Sequence, residues 1–162
     1  MNRILKSKRW IQDRSTAKLA ILELKKDWQP LLGLGHWQIK TTFWREANVA
    51  TCWADPKYFK AELNFYILNI FDEITCDFDV EELVVHELCH CVTWSLNSMT
   101  DRLIQHVGDD SGELEQTRET WDEQMVTTMG RSLVMAKYRL TSLPNAMLDR
   151  KWNDKVDIRR RV

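Results

Sequence analysis

The sequence predicts one α+β domain. Three observations carry this: a run of helical apolar spacing near the N-terminus, three short alternating runs between residues 36 and 67, and two long helical runs between residues 80 and 140. The chain has 162 residues, 44% apolar and 29% charged. That length and balance fit a single soluble domain able to bury a core. The domain is expected to occupy 1–162, with its core over about 12–140 and a charged extension over 141–162.

The first helix is expected over 11–28. Ile11, Ala17, Leu19, Ala20, Ile21, Leu22, Leu24 and Trp28 fall mostly at helical spacing there. It should end near Gln29-Pro30, because proline disfavours helix in the residue before it. The glycine-punctuated LLGLGHW then reads as a turn. Strand signals follow in 36–44, where Trp37, Ile39, Thr41 and Phe43 alternate with Gln38, Lys40, Thr42 and Trp44. A second run at 48–54 stops at Asp55-Pro56, and a third at 60–67 points Ala61, Leu63, Phe65 and Ile67 to one side. A small antiparallel or mixed sheet of about three strands is expected, and because the connections are short an antiparallel meander is its simplest arrangement.

FDEITCDFD reads as a loop. Asp79 with Glu82 resembles a capping box, starting a helix from about Val80 to Leu96. Residues 97–112 are polar and read as irregular. The next helix, about 113–140, carries Leu114, Trp121, Met125, Met129, Leu133, Ala136 and Leu140 near one stripe. Beyond Pro144, Leu148, Trp152, Val156 and Ile158 are possible docking points in a charged stretch. Among the eight tryptophans, Trp44 and Trp94 are candidates to line a cleft.

Net charge is −1, but it is unevenly spread. Residues 1–30 carry 8 basic and 3 acidic side chains, residues 72–123 carry 2 and 15, and residues 131–162 carry 9 and 3. The acidic block suits a divalent cation or basic substrates. The basic ends lack any nucleic-acid-binding motif, so nucleic acid is not expected as a partner. MNRILKSKRW has no apolar signal-peptide core, and no run approaches the ~18 apolar residues of a membrane span. A cytoplasmic protein is expected, with Cys52, Cys76, Cys89 and Cys91 reduced. On one helix Cys89 and Cys91 sit about 200° apart and cannot pair with each other.

Within EELVVHELCHCVTW lies His86-Glu87-Leu88-Cys89-His90. Four residues on a helix is about 40° of rotation and one turn of rise, so His86 and His90 can face one ion. Two neutral imidazoles suit zinc, and Glu87, about 100° from His86, falls beside the ion as a general base. A catalytic zinc needs a third protein ligand. Glu123, Glu119 one turn earlier, and His106 in the expected loop are the candidates. Thr93 and Leu96 stand where the metzincin extension needs glycine and histidine, which excludes that class.

HELCH, with WDEQMVTTMGRSLV about thirty residues later, resembles the zincin-like metallopeptidases of minimal gluzincin type, found as small phage and bacterial proteins. Glu123, Val126, Met129 and Gly130 match that group's second-helix run, and LGLGHWQIKTTFW and KAELNFYI resemble its strands. The resemblance spans roughly 28–140, and HELCH is its sharp motif. It implies a zinc peptidase with His86, His90 and Glu123 as metal ligands and Glu87 as catalytic base. It also implies a peptide substrate bound along an edge strand at 60–67, in the cytoplasm of a bacterium or phage-infected cell. Tyr66, Tyr138 and Arg131 are open candidates for stabilising an oxyanion. Two alternatives stand beside it. One is a zincin-fold accessory protein with little turnover. The other is a SprT-like, DNA-associated protease with His106 as ligand, a family whose usual His-Gly and zinc ribbon are missing here.

Overall fold

The computed structural model describes residues 14–44, 49–67 and 77–138. The expected extension at 141–162, the loop before residue 77, Ile11, Leu140 and Cys76 lie outside them. Three helices and a three-stranded mixed sheet make up the described fold, which is α+β. In chain order these are α1 (Arg14–Leu31), β1 (Gln38–Trp44), β2 (Ala50–Asp55), β3 (Lys60–Tyr66), α2 (Asp77–Val107) and α3 (Glu113–Tyr138). No described helix is long and apolar enough to cross a membrane.

Helix α1 buries Ala17, Ala20, Ile21 and Trp28. It runs two residues past Gln29, with Pro30 inside its last turn. Two backbone bonds close its end, Leu34 N–H to Gln29 O at 2.9 Å and Gly33 N–H to Pro30 O at 3.1 Å. Gly33, at φ +74°, supplies the left-handed residue that this closure needs.

The sheet is three-stranded and mixed, one of the two expected forms, but its strand order corrects the expected meander. Its order is β1-β3-β2, with β1 parallel to β3 and β2 antiparallel to β3. A tight turn after Asp55 joins β2 to β3 as a hairpin, and Lys57 N–H donates to Asp55 Oδ1 at 3.1 Å. Strand β1 pairs on the other side of β3, with Thr41 opposite Leu63 and Phe43 opposite Phe65. The central strand is accordingly the most buried: Ala61, Leu63 and Phe65 lie in the core. Both backbone edges of β3 are therefore taken, and the strand at 60–67 cannot accept a peptide as a further strand. Among the described strands, β2 and β1 hold the sheet edges.

Helix α2 passes the expected stop at Leu96 and continues to Val107. No glycine or proline interrupts 80–107, and the stop is Gly108 at φ +79°, whose N–H bonds Ile104 O at 3.0 Å. The polar residues Asn97, Ser98 and Asp101 belong to a helix face that lines a cavity, not to a loop. At the other end, Asp79 already lies inside the helix, and Glu82 pairs with Arg131 at 2.6 Å instead of capping. The first half of α2 is the centre of the core, with Val80, Leu83, Val84, Val85, Leu88, Cys89 and Cys91 buried.

Helix α3 buries Val126, Gly130 and Val134, one position round from the expected stripe. Met129 and Leu133 pack at its margin, while Leu114 and Trp121 are exposed. The shift turns Glu123 toward α2, because residues seven apart lie about 20° from one another on a helix. A carboxylate network closes the end of the core. Fully buried Glu81 accepts from Trp28 Nε1 at 2.6 Å, from Lys137 Nζ at 2.6 Å and from the Tyr138 hydroxyl.

Candidate metal centre

Helix α3 passes close to α2 at Gly130. A β-carbon placed there would lie 3.4 Å from the His86 amide nitrogen, in ordinary contact, so the site has room for a methyl group and little more. Two turns before Gly130, on the same face, stands Glu123. His86 and His90 leave α2 one turn apart, with ring centroids 4.9 Å apart and planes at 80°.

Their Nε2 atoms lie 3.2 Å from one another. Glu123 spans both rings, with Oε2 at 3.4 Å from His86 Nε2 and Oε1 at 3.4 Å from His90 Nε2. These three residues form a group that could hold a metal ion, with one donor atom from each all within 4.8 Å. Of the third-ligand candidates, Glu123 is the one brought to both histidines. Glu119 lines the same cavity but stands outside the group. His106 lies on the same unbroken helix as His90, sixteen positions on, which is about 24 Å away. It is exposed and outside the group, which corrects its expected place in a loop near the site.

The far side of each ring is also engaged. His90 Nδ1 lies 3.1 Å from Asp122 Oδ2, and the Thr93 hydroxyl donates to Asp122 Oδ1 at 3.1 Å. The Thr127 hydroxyl is 3.3 Å from His86 Nδ1. Asp122, Thr93 and Thr127 escaped the sequence reading. The signal available was the Asp122-Glu123 pair itself: successive carboxylates on one helix, one to bind and one to orient.

The charges are strongly coupled. Burial works to lower the His90 pKa, but hydrogen bonds that its ring donates to Asp122 and Glu123, with the nearby Glu87 charge, lift it to about 10. His86 and His90 hold the Glu123 carboxyl well below the usual carboxylate range. For Asp122 burial pushes upward, and the bonds from His90, Asn97 and Thr93 outweigh it, leaving the pKa lowered. Glu87 moves the other way. Burial raises its pKa, the two histidines oppose this, and Glu123 adds to it. Glu87 is 4% exposed, and its Oε2 has no hydrogen-bond partner among the described residues.

The centre opens on a cavity of about 750 Å³ between β2, α2 and α3. Glu87, Cys52, Leu83, Trp94, Asp101 and Arg118 are among its walls. Trp94 thus lines the cleft. Trp44 does not, and its Nε1 bonds Thr42 Oγ1 at 2.9 Å. None of Tyr66, Tyr138 and Arg131 reaches the cavity; the last two are held by Glu81 and Glu82. Arg118 is the lining side chain with guanidinium donors, and its Nε sits 2.7 Å from Asp101 Oδ1. No family model, curated protein or solved structure matches this chain, so the reading of the centre rests on its own residues.

Proposed function

We propose that the protein is a zinc-dependent peptidase of zincin-like, gluzincin type, with His86, His90 and Glu123 as metal ligands and Glu87 as general base. The observation that carries it is the meeting of two imidazole Nε2 atoms and one carboxylate from two helices, beside a buried carboxylate in an open cavity. Two histidines and a glutamate are a donor set of catalytic zinc, which leaves a coordination position free. Zinc bonds of about 2.0–2.1 Å give tetrahedral ligand-to-ligand edges of about 3.3–3.4 Å. The 3.2 Å between the nitrogens is close to that edge, and each nitrogen has its own Glu123 oxygen at 3.4 Å, Oε2 for His86 and Oε1 for His90.

When bound, a zinc ion supplies Lewis acidity that makes water a competent nucleophile at neutral pH and polarises a carbonyl. The chain's own groups do the rest. Asp122 and Thr127 hold the imidazoles with both Nε2 atoms toward Glu123, where the three side chains would hold the ion. The free Oε2 of Glu87 takes the proton of the attacking water and passes it to the leaving amine. Arg118 offers N–H donors to a substrate oxygen. Val49 and residues 50–52 of β2 form one wall, and β2 is an edge strand, so an extended peptide fits along β2 by main-chain pairing. The acidic walls favour basic peptides.

A second reading is a metal-binding accessory protein with little turnover, favoured by the absence of a tyrosine from the cavity walls. Metal analysis of the purified protein and a peptide-library digest separate the two. Stoichiometric zinc with cleavage that Glu87→Gln abolishes supports the peptidase. Zinc without cleavage supports the accessory protein, and protein without stoichiometric zinc overturns both.

A further inference from the structure

We propose that Cys52 and Cys91 are a modification site: a reversible disulfide that fastens β2 to α2 beside the metal centre. Their sulfurs lie 3.6 Å apart across two elements, between residues 39 positions apart in the chain. A disulfide needs about 2.0 Å, so the sulfurs must close by about 1.6 Å, within reach of side-chain rotation and a small shift of an edge strand. Cys89 does not compete for Cys91, since it points about 160° away around the same helix.

The two thiols differ in access. Cys52 is half-buried and lines the cavity, whereas Cys91 is 2% exposed and lies behind it. A small-molecule disulfide therefore reaches Cys52 first. The Cys52 sulfur attacks one sulfur of the reagent, forming a mixed disulfide and releasing one small thiol. The Cys91 sulfur then attacks Cys52, closing the protein disulfide and releasing the second small thiol. Two protein thiols are oxidised, one external disulfide is reduced, and the two protons pass to the released thiols. Cys91 directly follows His90, and Cys52 belongs to the strand forming the cavity wall. The bond fixes that wall against the helix bearing the histidines and makes the width of the cavity depend on redox state.

The test reads sulfur connectivity, so it stands or falls separately from the peptidase reading. Full-length protein is incubated with excess oxidised glutathione, its free thiols are alkylated in the native state and again after unfolding, and it is digested with trypsin. Cys52 falls in peptide 46–57, while Cys76, Cys89 and Cys91 share peptide 61–102. The expected product links these two peptides, disappears with dithiothreitol, survives in Cys76→Ser and Cys89→Ser, and is lost in Cys52→Ser and Cys91→Ser. Oxidation should also raise the melting temperature of the wild type and not of Cys52→Ser. A peptide 46–57 that is wholly alkylated or carries glutathione alone overturns the proposal, as does a link that survives Cys91→Ser. If Cys91→Ser does not fold, fragmentation of the linked wild-type peptide assigns the second sulfur. Cys91 there supports the proposal, and Cys76 or Cys89 overturns it.

Discussion

Asp122 Oδ2 lies 3.1 Å from His90 Nδ1, while Nε2 of the same ring faces Glu123 Oε1 at 3.4 Å. The imidazole is thus gripped at both nitrogens by successive residues of α3. A carboxylate on the far nitrogen fixes the tautomer and ring angle and makes the ligating nitrogen more basic. Asp122→Ala should weaken zinc binding by about 10- to 100-fold without changing the number of ions bound. Competition against a chromophoric chelator measures it, and an affinity unchanged within twofold would show that Asp122 does not hold the ring for metal.

The ligand assignment separates three residues. Glu123→Ala removes a donor and should lose more zinc affinity than Asp122→Ala does. Glu119→Ala and His106→Ala should leave affinity at the wild-type level, since neither belongs to the group around the two Nε2 atoms. The same chelator competition ranks all four variants, and a large loss in Glu119→Ala would reassign the third ligand.

Gly130 tests how the helix approach builds the centre. An alanine β-carbon there meets His86 N at 3.4 Å and His86 Cα at 3.5 Å, which is ordinary contact. Gly130→Ala should stay within about 1 kcal/mol of wild type, with helix propensity favouring alanine. Gly130→Leu has no room, should cost roughly 1–3 kcal/mol, and should weaken zinc binding by pushing Glu123 from the histidines. Denaturant unfolding together with zinc titration checks both halves.

Glu81 is fully buried and accepts from Trp28, Lys137 and Tyr138, joining α1, α2 and α3. Glu81→Ala leaves a lysine and two hydrogen-bond donors without their acceptor, and should destabilise by roughly 3–5 kcal/mol. Zinc stoichiometry should be preserved in the fraction that stays folded. A thermal melt followed by circular dichroism reads the first, and metal analysis of the folded fraction reads the second.

Tyr138 gives a pH dependence of known sign. Burial raises its pKa, and the Glu81 carboxylate raises it further. The folded state keeps this proton after the unfolded chain has lost it, so the contribution is complete below about pH 10 and declines as pH rises above that. Wild-type stability should fall more steeply above about pH 10 than that of Tyr138→Phe. Denaturant midpoints measured across that range decide it, and equal slopes would remove Tyr138 from the linkage.

By itself the sequence determined the kinds and order of the elements and three residues of the site. Helical rise and rotation place His86, Glu87 and His90 together in any continuous helix, so this part is local geometry. Glu123 was legible as the favoured third ligand through the resemblance, ahead of Glu119 and His106, but not from spacing, because which face of α3 meets α2 is not a local property. The close approach at Gly130 decided it. Strand order was illegible for the same reason. Alternation tells which side chains share a face, but not which backbone edge pairs with which, and β3 went between β1 and β2. The polar stretch after Leu96 read as loop because its side chains favour water, and the structure satisfies them along a cavity while the helix continues. Asp122, Thr93 and Thr127, together with the Cys52–Cys91 contact, come from packing two helices and a strand whose separation in the chain is long. Such contacts depend on tertiary distances that no spacing within one element encodes.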